Sequence, residues 1–225
     1  MKFVERQLAF TLAEVLITLG IIGIVAAMTL PNLIAEHRAQ VLQAQFKKSD
    51  SLLSQVYTMM IANGEDWSVE EAQARENYAK YPALYAQYIK GAKVQVTGNN
   101  GLCQTHFKNY GYTDMTGQKP SSLLLWFIDD GYIELSNGQL WWFENGTGQQ
   151  YITIDINGYK KAPNRWGWDL FSFKLEDNHF IGEKDERANC NNLHNEIYNG
   201  RLCTYYAMID PNYFKKLYKR KLVTE

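Results

Sequence analysis

Three sets of residues have the types and spacing to do chemistry. The first is a lone acid. Glu14 stands in an apolar run from Phe10 to Leu30 that is otherwise broken only by Thr11, Thr18 and Thr29. An unpaired carboxylate within a membrane helix costs up to ~2.5–3.5 kcal/mol on insertion scales, so such a group is placed to meet a cation. The second set is Cys103, Cys190 and Cys203. Thiols of an outward-facing domain oxidise, so at least one bridge is expected. Cys190 and Cys203 enclose 12 residues, among them Asn199-Gly200, where a turn can bring the ends together. Cys103 is then buried, bonded to another chain, or a substitute for one of that pair. The third set is Asp155, Asn157 and Asp169, whose hard oxygens suit calcium. An EF-hand loop is excluded, because Tyr159 stands where a third ligand belongs and no Glu follows at the twelfth position. The competing reading is turn geometry, in which these side chains accept loop amides.

Other chemistries find no support. The chain has no Gly-x-Ser-x-Gly, no His-Glu-x-x-His and no Gly-x-x-x-x-Gly-Lys. It has no Cys-x-x-Cys either, and Cys103-x-x-His106 lacks a second pair, which argues against zinc. His37, His106, His179 and His194 are scattered among polar residues. Asp129, Asp130 and Glu134, beside a hairpin turn, read as solvated charges rather than an acid–base pair. Lys215, Lys216, Lys219, Arg220 and Lys221, interleaved with Tyr213, Phe214, Leu217 and Tyr218, read as a short amphipathic helix. Contact with DNA phosphates is the sharper alternative for that tail. Trp126, Trp141, Trp142, Trp166 and Trp168 fall in or beside apolar strands, where packing outweighs stacking on sugars or bases. No enzyme is expected.

Positioning Glu14 requires a helix. The 21 residues from Phe10 to Leu30 would extend roughly 31 Å, enough to cross a bilayer core. A secretory signal has a shorter apolar core of about 7–15 residues and no acid in it. Lys2 and Arg6 precede the run and would stay cytoplasmic, so the chain after Leu30 faces outward. Residues 31 to 62 are rich in good helix formers and continue the helix as an arm. Val41, Gln45, Lys48, Leu52, Val56 and Met60 recur near helical spacing and mark its packed face. Pro31 should kink the helix, and Asn63-Gly64 should end it.

Ser68 and Glu71 then form a capping box for a helical stretch to Ile89, bent at Pro82, with Tyr78, Tyr81, Tyr85 and Tyr88 on one packed face. Lys93 to Thr97 alternates like a strand. From Ser121 the pattern is strands at Leu123–Ile128, Tyr132–Leu135, Leu140–Phe143 and Tyr151–Ile156, parted by Asp130-Gly131, Asn137-Gly138 and Asn145-Gly146. An antiparallel meander of four or five strands follows, lying on the apolar face of the arm.

The short basic leader, the small residue Ala9, Phe10-Thr11-Leu12-x-Glu14 and the apolar helix resemble the amino terminus of type IV prepilins and type II secretion pseudopilins. That resemblance implies cleavage between Ala9 and Phe10 by a prepilin peptidase, N-methylation of Phe10, and an assembly role for Glu14. It also implies a helix kink at Pro31 and a disulfide loop near the carboxyl end, Cys190 with Cys203. Ala9 stands where the family usually has Gly, which implies slower processing. The pattern Asp155-x-Asn157-Gly158, Pro163-Asn164, Gly167-x-Asp169-x-Phe171 is similar to one in bacterial pilin-like heads. Some pseudopilins bind calcium in head loops, which makes Asp155, Asn157 and Asp169 the candidate set here.

The expectation is an α+β fold, a long N-terminal transmembrane and amphipathic helix packed on an antiparallel sheet head. Residues 1–9 form the leader, 10–30 the membrane span, 31–62 the arm and 63–225 the head. The resemblance implies a structural subunit, minor on account of its large head, of a type IV pilus or type II secretion pseudopilus. Its partners would be other pilin or pseudopilin subunits, the peptidase, a platform protein, an assembly ATPase and the membrane. It would sit as a single-pass protein of the cell membrane before assembly, head outward, and in a periplasmic or surface filament afterwards. Calcium aside, no cofactor is expected. Formal net charge is −1, and no basic excess points to nucleic acid as the main partner. The rival reading is a membrane-tethered extracellular binding module for DNA or carbohydrate.

Overall fold

The computed structural model describes residues 11–65, 80–97, 101–145, 149–184, 190 and 198–219. Ala9 and Phe10, the Ser68–Glu71 box, Tyr78, His194, Arg220 and Lys221 lie outside the described residues. The chain divides into two compact units, Met1–Arg38 and Ala39–Glu225.

Helix α1 runs from Leu12 to Ala62 with Pro31 inside it. Proline lacks an amide, so the Ala27 carbonyl one turn earlier loses its helical partner there. Asn63 donates to the Met59 carbonyl and Gly64 adopts φ +76°, so Asn-Gly ends the helix as its chemistry dictates. In the second unit α1 buries Ala39, Leu42, Phe46, Ser49, Leu53, Val56, Tyr57 and Met60. The second half of the expected face holds, with Val56 and Met60 buried and Leu52 packed beside them, whereas the first half is rotated. Val41 is 41% exposed, whereas Phe46 is buried against Phe171, Phe173 and Phe214 at ring separations of 4.8, 5.7 and 5.9 Å. The large aromatic, not the aliphatic repeat, sets the orientation.

The sheet has six strands in the order β1 Lys93–Thr97, β2 Gly131–Glu134, β3 Leu140–Glu144, β4 Gln150–Asp155, β5 Leu170–Glu176 and β6 His179–Ile181. Every neighbour is antiparallel, so the sheet is a meander. The α+β, pilin-like architecture is as expected, with more strands. The sixth strand follows Asp177-Asn178, both at positive φ, a two-residue turn that pairs Glu176 with His179.

Successive strand residues point to opposite faces. Ile133, Trp141, Phe143, Ile152, Ile154, Phe171 and Phe173 join the core around α1. Tyr132, Leu140, Trp142 and Leu170 belong to a second core on the other face, with Cys103, Phe107, Leu124, Leu125, Ile128 and Trp166. Burial on both faces explains why β3, Leu-Trp-Trp-Phe-Glu, is buried throughout. Two helical pieces supply the second layer, α3 Leu102–Asn109 and a 3₁₀ helix Leu124–Ile128. The latter corrects the expected strand at Leu123–Ile128. Leu124, Leu125 and Ile128 share a helical spacing, and the Ser121 hydroxyl accepts the Leu124 amide at 3.3 Å to start the turn. The remaining described helices are α2 Lys80–Gln87, α4 Cys203–Ile209 and α5 Tyr213–Tyr218.

Candidate functional site

The site begins at the first turn of α1. Thr11 sits at its cap and donates both its backbone amide and its hydroxyl to Glu14 Oε2, each at 2.8 Å. The Glu14 amide returns a bond to Thr11 Oγ1 at 3.2 Å. This is a reciprocal capping box, Thr-x-x-Glu, which holds the carboxylate at the helix terminus. A favourable dipole reinforces it, since the N-terminal end of a helix attracts negative charge. Thr11 is thus more than a polar interruption of the apolar run, and the Thr-x-x-Glu spacing is its signal in the sequence.

Beyond this turn the helix presents hydrocarbon all round. Leu16, Ile17, Leu19, Ile22, Ile24 and Met28 are each 60–72% exposed. An 18-residue window reaches a mean hydropathy of 2.2 with none of it buried, so α1 is long and apolar enough to cross a membrane. Its polar side chains look inward. Thr18 donates to the Val15 carbonyl at 3.0 Å and Thr29 to the Val25 carbonyl at 2.9 Å, as hydroxyls in a bilayer must. The family model described as the prokaryotic N-terminal methylation motif matches residues 6–30, which span the acid, its cap and the apolar run. The chain carries a prepilin-type amino terminus. Comparison with curated proteins and with solved structures finds no match to the chain. The prepilin-type terminus therefore rests on the motif and on the helix that displays it.

The head carries the remaining candidates. Cys190 and Cys203 form a disulfide with Cα atoms 4.9 Å apart, wholly buried, with Met115 Sδ 3.2 Å from Cys203 Sγ. Cys103 is free and buried on the other face of the sheet. Burial, joined by the charges of Asp129 and Asp130, pushes its thiol up to about 12.

Asp155, Asn157 and Asp169 are brought together, and their donors come from the chain itself. Asp155 Oδ1 accepts the amides of Asn157 and Gly158 at 3.2 and 2.7 Å, while Oδ2 accepts the Tyr112 hydroxyl. Asp169 Oδ2 accepts the Asn164 amide at 2.9 Å and Asn157 Nδ2 at 3.2 Å, and Oδ1 accepts the Arg165 amide at 2.6 Å. Gly158 adopts φ +87°, and a Cβ there would stand 2.5 Å from the Gly138 carbonyl, so no other residue fits. Both carboxyl groups are inaccessible. Burial raises both carboxyl groups above the ordinary aspartate range, and at Asp155 the neighbouring charge of Asp169 adds to the rise.

Asp129 and Asp130 are not solvated. Both are buried and gather with Glu144 rather than Glu134, their carboxylate oxygens within 4.8 Å of one another. Asp130 also accepts the Asn145 amide at 2.7 Å, and burial pushes its carboxyl up to about 6. The register explains the meeting, because β2 and β3 pair Tyr132 with Trp142 and so bring the residues two before and two after them opposite each other. The basic tail is anchored: Tyr213, Phe214 and Leu217 are buried in α5, and Lys216 pairs with Asp210 at 2.8 Å. Of the tryptophans, Trp141, Trp142 and Trp166 are core, whereas Trp126 is 53% exposed.

Proposed function

We propose that this chain is a minor subunit of a type IV pilus or type II secretion pseudopilus. The observation that carries the reading is the methylation motif at residues 6–30, heading a helix whose apolar run to Leu30 is exposed and whose first acid, Glu14, is held at its first turn. Prepilin peptidase cuts between Ala9 and Phe10 and methylates Phe10. A platform protein and an assembly ATPase then draw the subunit out of the membrane into a filament. Glu14 lies about one helical turn from the new amine of Phe10. In a filament core neither charge can stay unpaired, so the carboxylate of one subunit meets the amine of its neighbour and marks the register. The Ala39–Glu225 unit, which holds the head and the lower part of the arm, faces outward in the periplasm or at the cell surface.

The test is mass spectrometry of the amino-terminal peptide from cells with active peptidase. The expected peptide begins at Phe10 and carries one added methyl group. An intact Met1 terminus, or a cut near Ala27, would overturn the reading.

A further inference from the structure

The contacts of the arm give the head two distinct ends. Gln43 Nε2 donates to the Pro211 carbonyl at 2.9 Å, Phe46 meets Phe171 near the start of β5, and Ser49 Oγ accepts Gln139 Nε2 at 2.9 Å just before β3. Further along the arm, Tyr57 donates to Asn178 Oδ1 at 3.1 Å and packs edge-on against Phe180, past the far end of β5. The register places Asp155, the last residue of β4, beside Leu140 and Leu170. The starts of β3 and β5, the close of β4 and helix α5 therefore lie at the end where the arm enters.

Exposed lysines gather there. Lys47 and Lys48 follow Phe46 on the arm. Lys160 and Lys161, in the loop from β4 to β5, line a cleft with Asn137 and Gly138 beside the start of β3. Lys215 and Lys219 stand on the exposed side of α5, whose other side is buried through Tyr213, Phe214 and Leu217. The acids at this end are engaged or withdrawn from solvent. Asp210 pairs with Lys216 at 2.8 Å, Glu134 Oε2 accepts Gln95 Nε2 at 2.9 Å, Asp155 and Asp169 are buried, and Asp50 is half-buried. At the opposite end the balance reverses. Glu176 and Asp177 are exposed, while Lys174 and Arg201 are tied to Glu176 and Glu183.

We infer that the lysine-bearing end docks on anionic phospholipid headgroups, so that the unassembled subunit rests head-down on the bilayer its helix spans. The inference rests on α1 as the membrane span. Ala39, the first residue of the head unit, follows Leu30 by nine residues, a tether of no more than about 32 Å even fully extended. The lysine-bearing end is the one this tether keeps by the bilayer. The charges come from three separate segments, which suits the many independent headgroups of a membrane better than the single track of a nucleic-acid backbone. Attraction to such a surface fades within a Debye length of about 8 Å at physiological salt, so it acts on lysines held close and yields to added salt. The contact belongs to the membrane pool and is given up when the subunit is drawn into a filament.

The experiment places the full chain in nanodiscs of phosphatidylcholine alone and of equal parts phosphatidylcholine and phosphatidylglycerol. Lysines are acetylated briefly with an N-hydroxysuccinimide ester and read one by one by mass spectrometry. With phosphatidylglycerol, Lys160, Lys161, Lys215 and Lys219 are expected to label roughly threefold more slowly, or slower still. Sodium chloride at about 1 M, where the Debye length is about 3 Å, should restore them. Lys80, beside Tyr81 and Phe143 at the other end, should label alike in both discs. Lys160→Glu combined with Lys161→Glu, both exposed, should weaken the protection of Lys215 and Lys219. Equal labelling in the two discs, protection that survives salt, or protection unchanged in the double variant would overturn the inference. A DNA duplex that protects these lysines in phosphatidylcholine discs, where phosphatidylglycerol protects none, would assign the surface to nucleic acid instead. Failure of the chain to enter either disc would overturn the membrane-span reading, and the inference with it.

Discussion

At the scale of single residues, Glu14 is not a bare charge in hydrocarbon. Two donors from Thr11 hold it before any partner arrives. That arrangement makes the acid tolerable in an isolated helix and keeps it at the end nearest Phe10. Glu14→Ala is therefore expected to insert and be cleaved normally, yet to fall roughly tenfold or more in sheared filaments relative to the processed membrane pool. Equal incorporation would remove Glu14 from assembly. Cys103 supports a second prediction at this scale. A buried thiol held near 12 is un-ionised at pH 8, and the thiolate is the reactive form. Native protein should resist iodoacetamide at pH 8, while protein in denaturant takes up one label without reduction and three after it.

Among elements, α1 meets β5 through the stacked and edge-on rings of Phe46, Phe171 and Phe173. Phe46→Ala empties the space between Phe171, Phe173 and Phe214, and is expected to cost about 3–5 kcal/mol by chemical denaturation. Val41→Ala, on the exposed side of the same helix, should change stability by less than about 0.5 kcal/mol. The disulfide binds the carboxyl-terminal helices to the core. Losing it in Cys203→Ser should cost about 3 kcal/mol on the chain-entropy account, or roughly 6–12 °C in melting temperature. The arm and the β2–β3 hairpin were legible in the sequence because helix formers and the Asn137-Gly138 turn act locally. The orientation of the arm was not, because Phe46 competes with the aliphatic repeat and only its partners on β5 decide between them. The 3₁₀ helix at Leu124–Ile128 resembles a strand in sequence for a related reason. A short apolar run fits either period until the surface it covers is known.

On the scale of the molecule, the unit Ala39–Glu225 contains both hydrophobic cores and the disulfide. A chain starting at Ala39 is expected to be monomeric by gel filtration and to unfold in one cooperative transition by circular dichroism. Aggregation or a gradual melt would show that the head depends on residues before Arg38. In this unit the candidate sites divide by face and by charge. The disulfide lies in the core beside α1, and the free thiol in the core on the other side of the sheet.

By itself the sequence determined the amino terminus. Phe-Thr-Leu-x-Glu, the apolar run and the proline are properties of a single helix, and their meaning needs no contact with the rest of the chain. It also determined the β2–β3 hairpin, because the positive φ that Gly138 adopts in Asn137-Gly138 is a local demand. Only the tertiary structure decided which acids are buried. Asp129 and Asp130 look like ordinary turn charges until the register of β2 and β3 sets them beside Glu144. Asp155 and Asp169 meet their donors only in the fold, which turns the amides of Asn157, Gly158, Asn164 and Arg165 and the Tyr112 hydroxyl toward them. A carboxylate's chemistry is set by its donors and its access to water, and in this chain the donors to Asp155 range from two to 43 residues away in sequence.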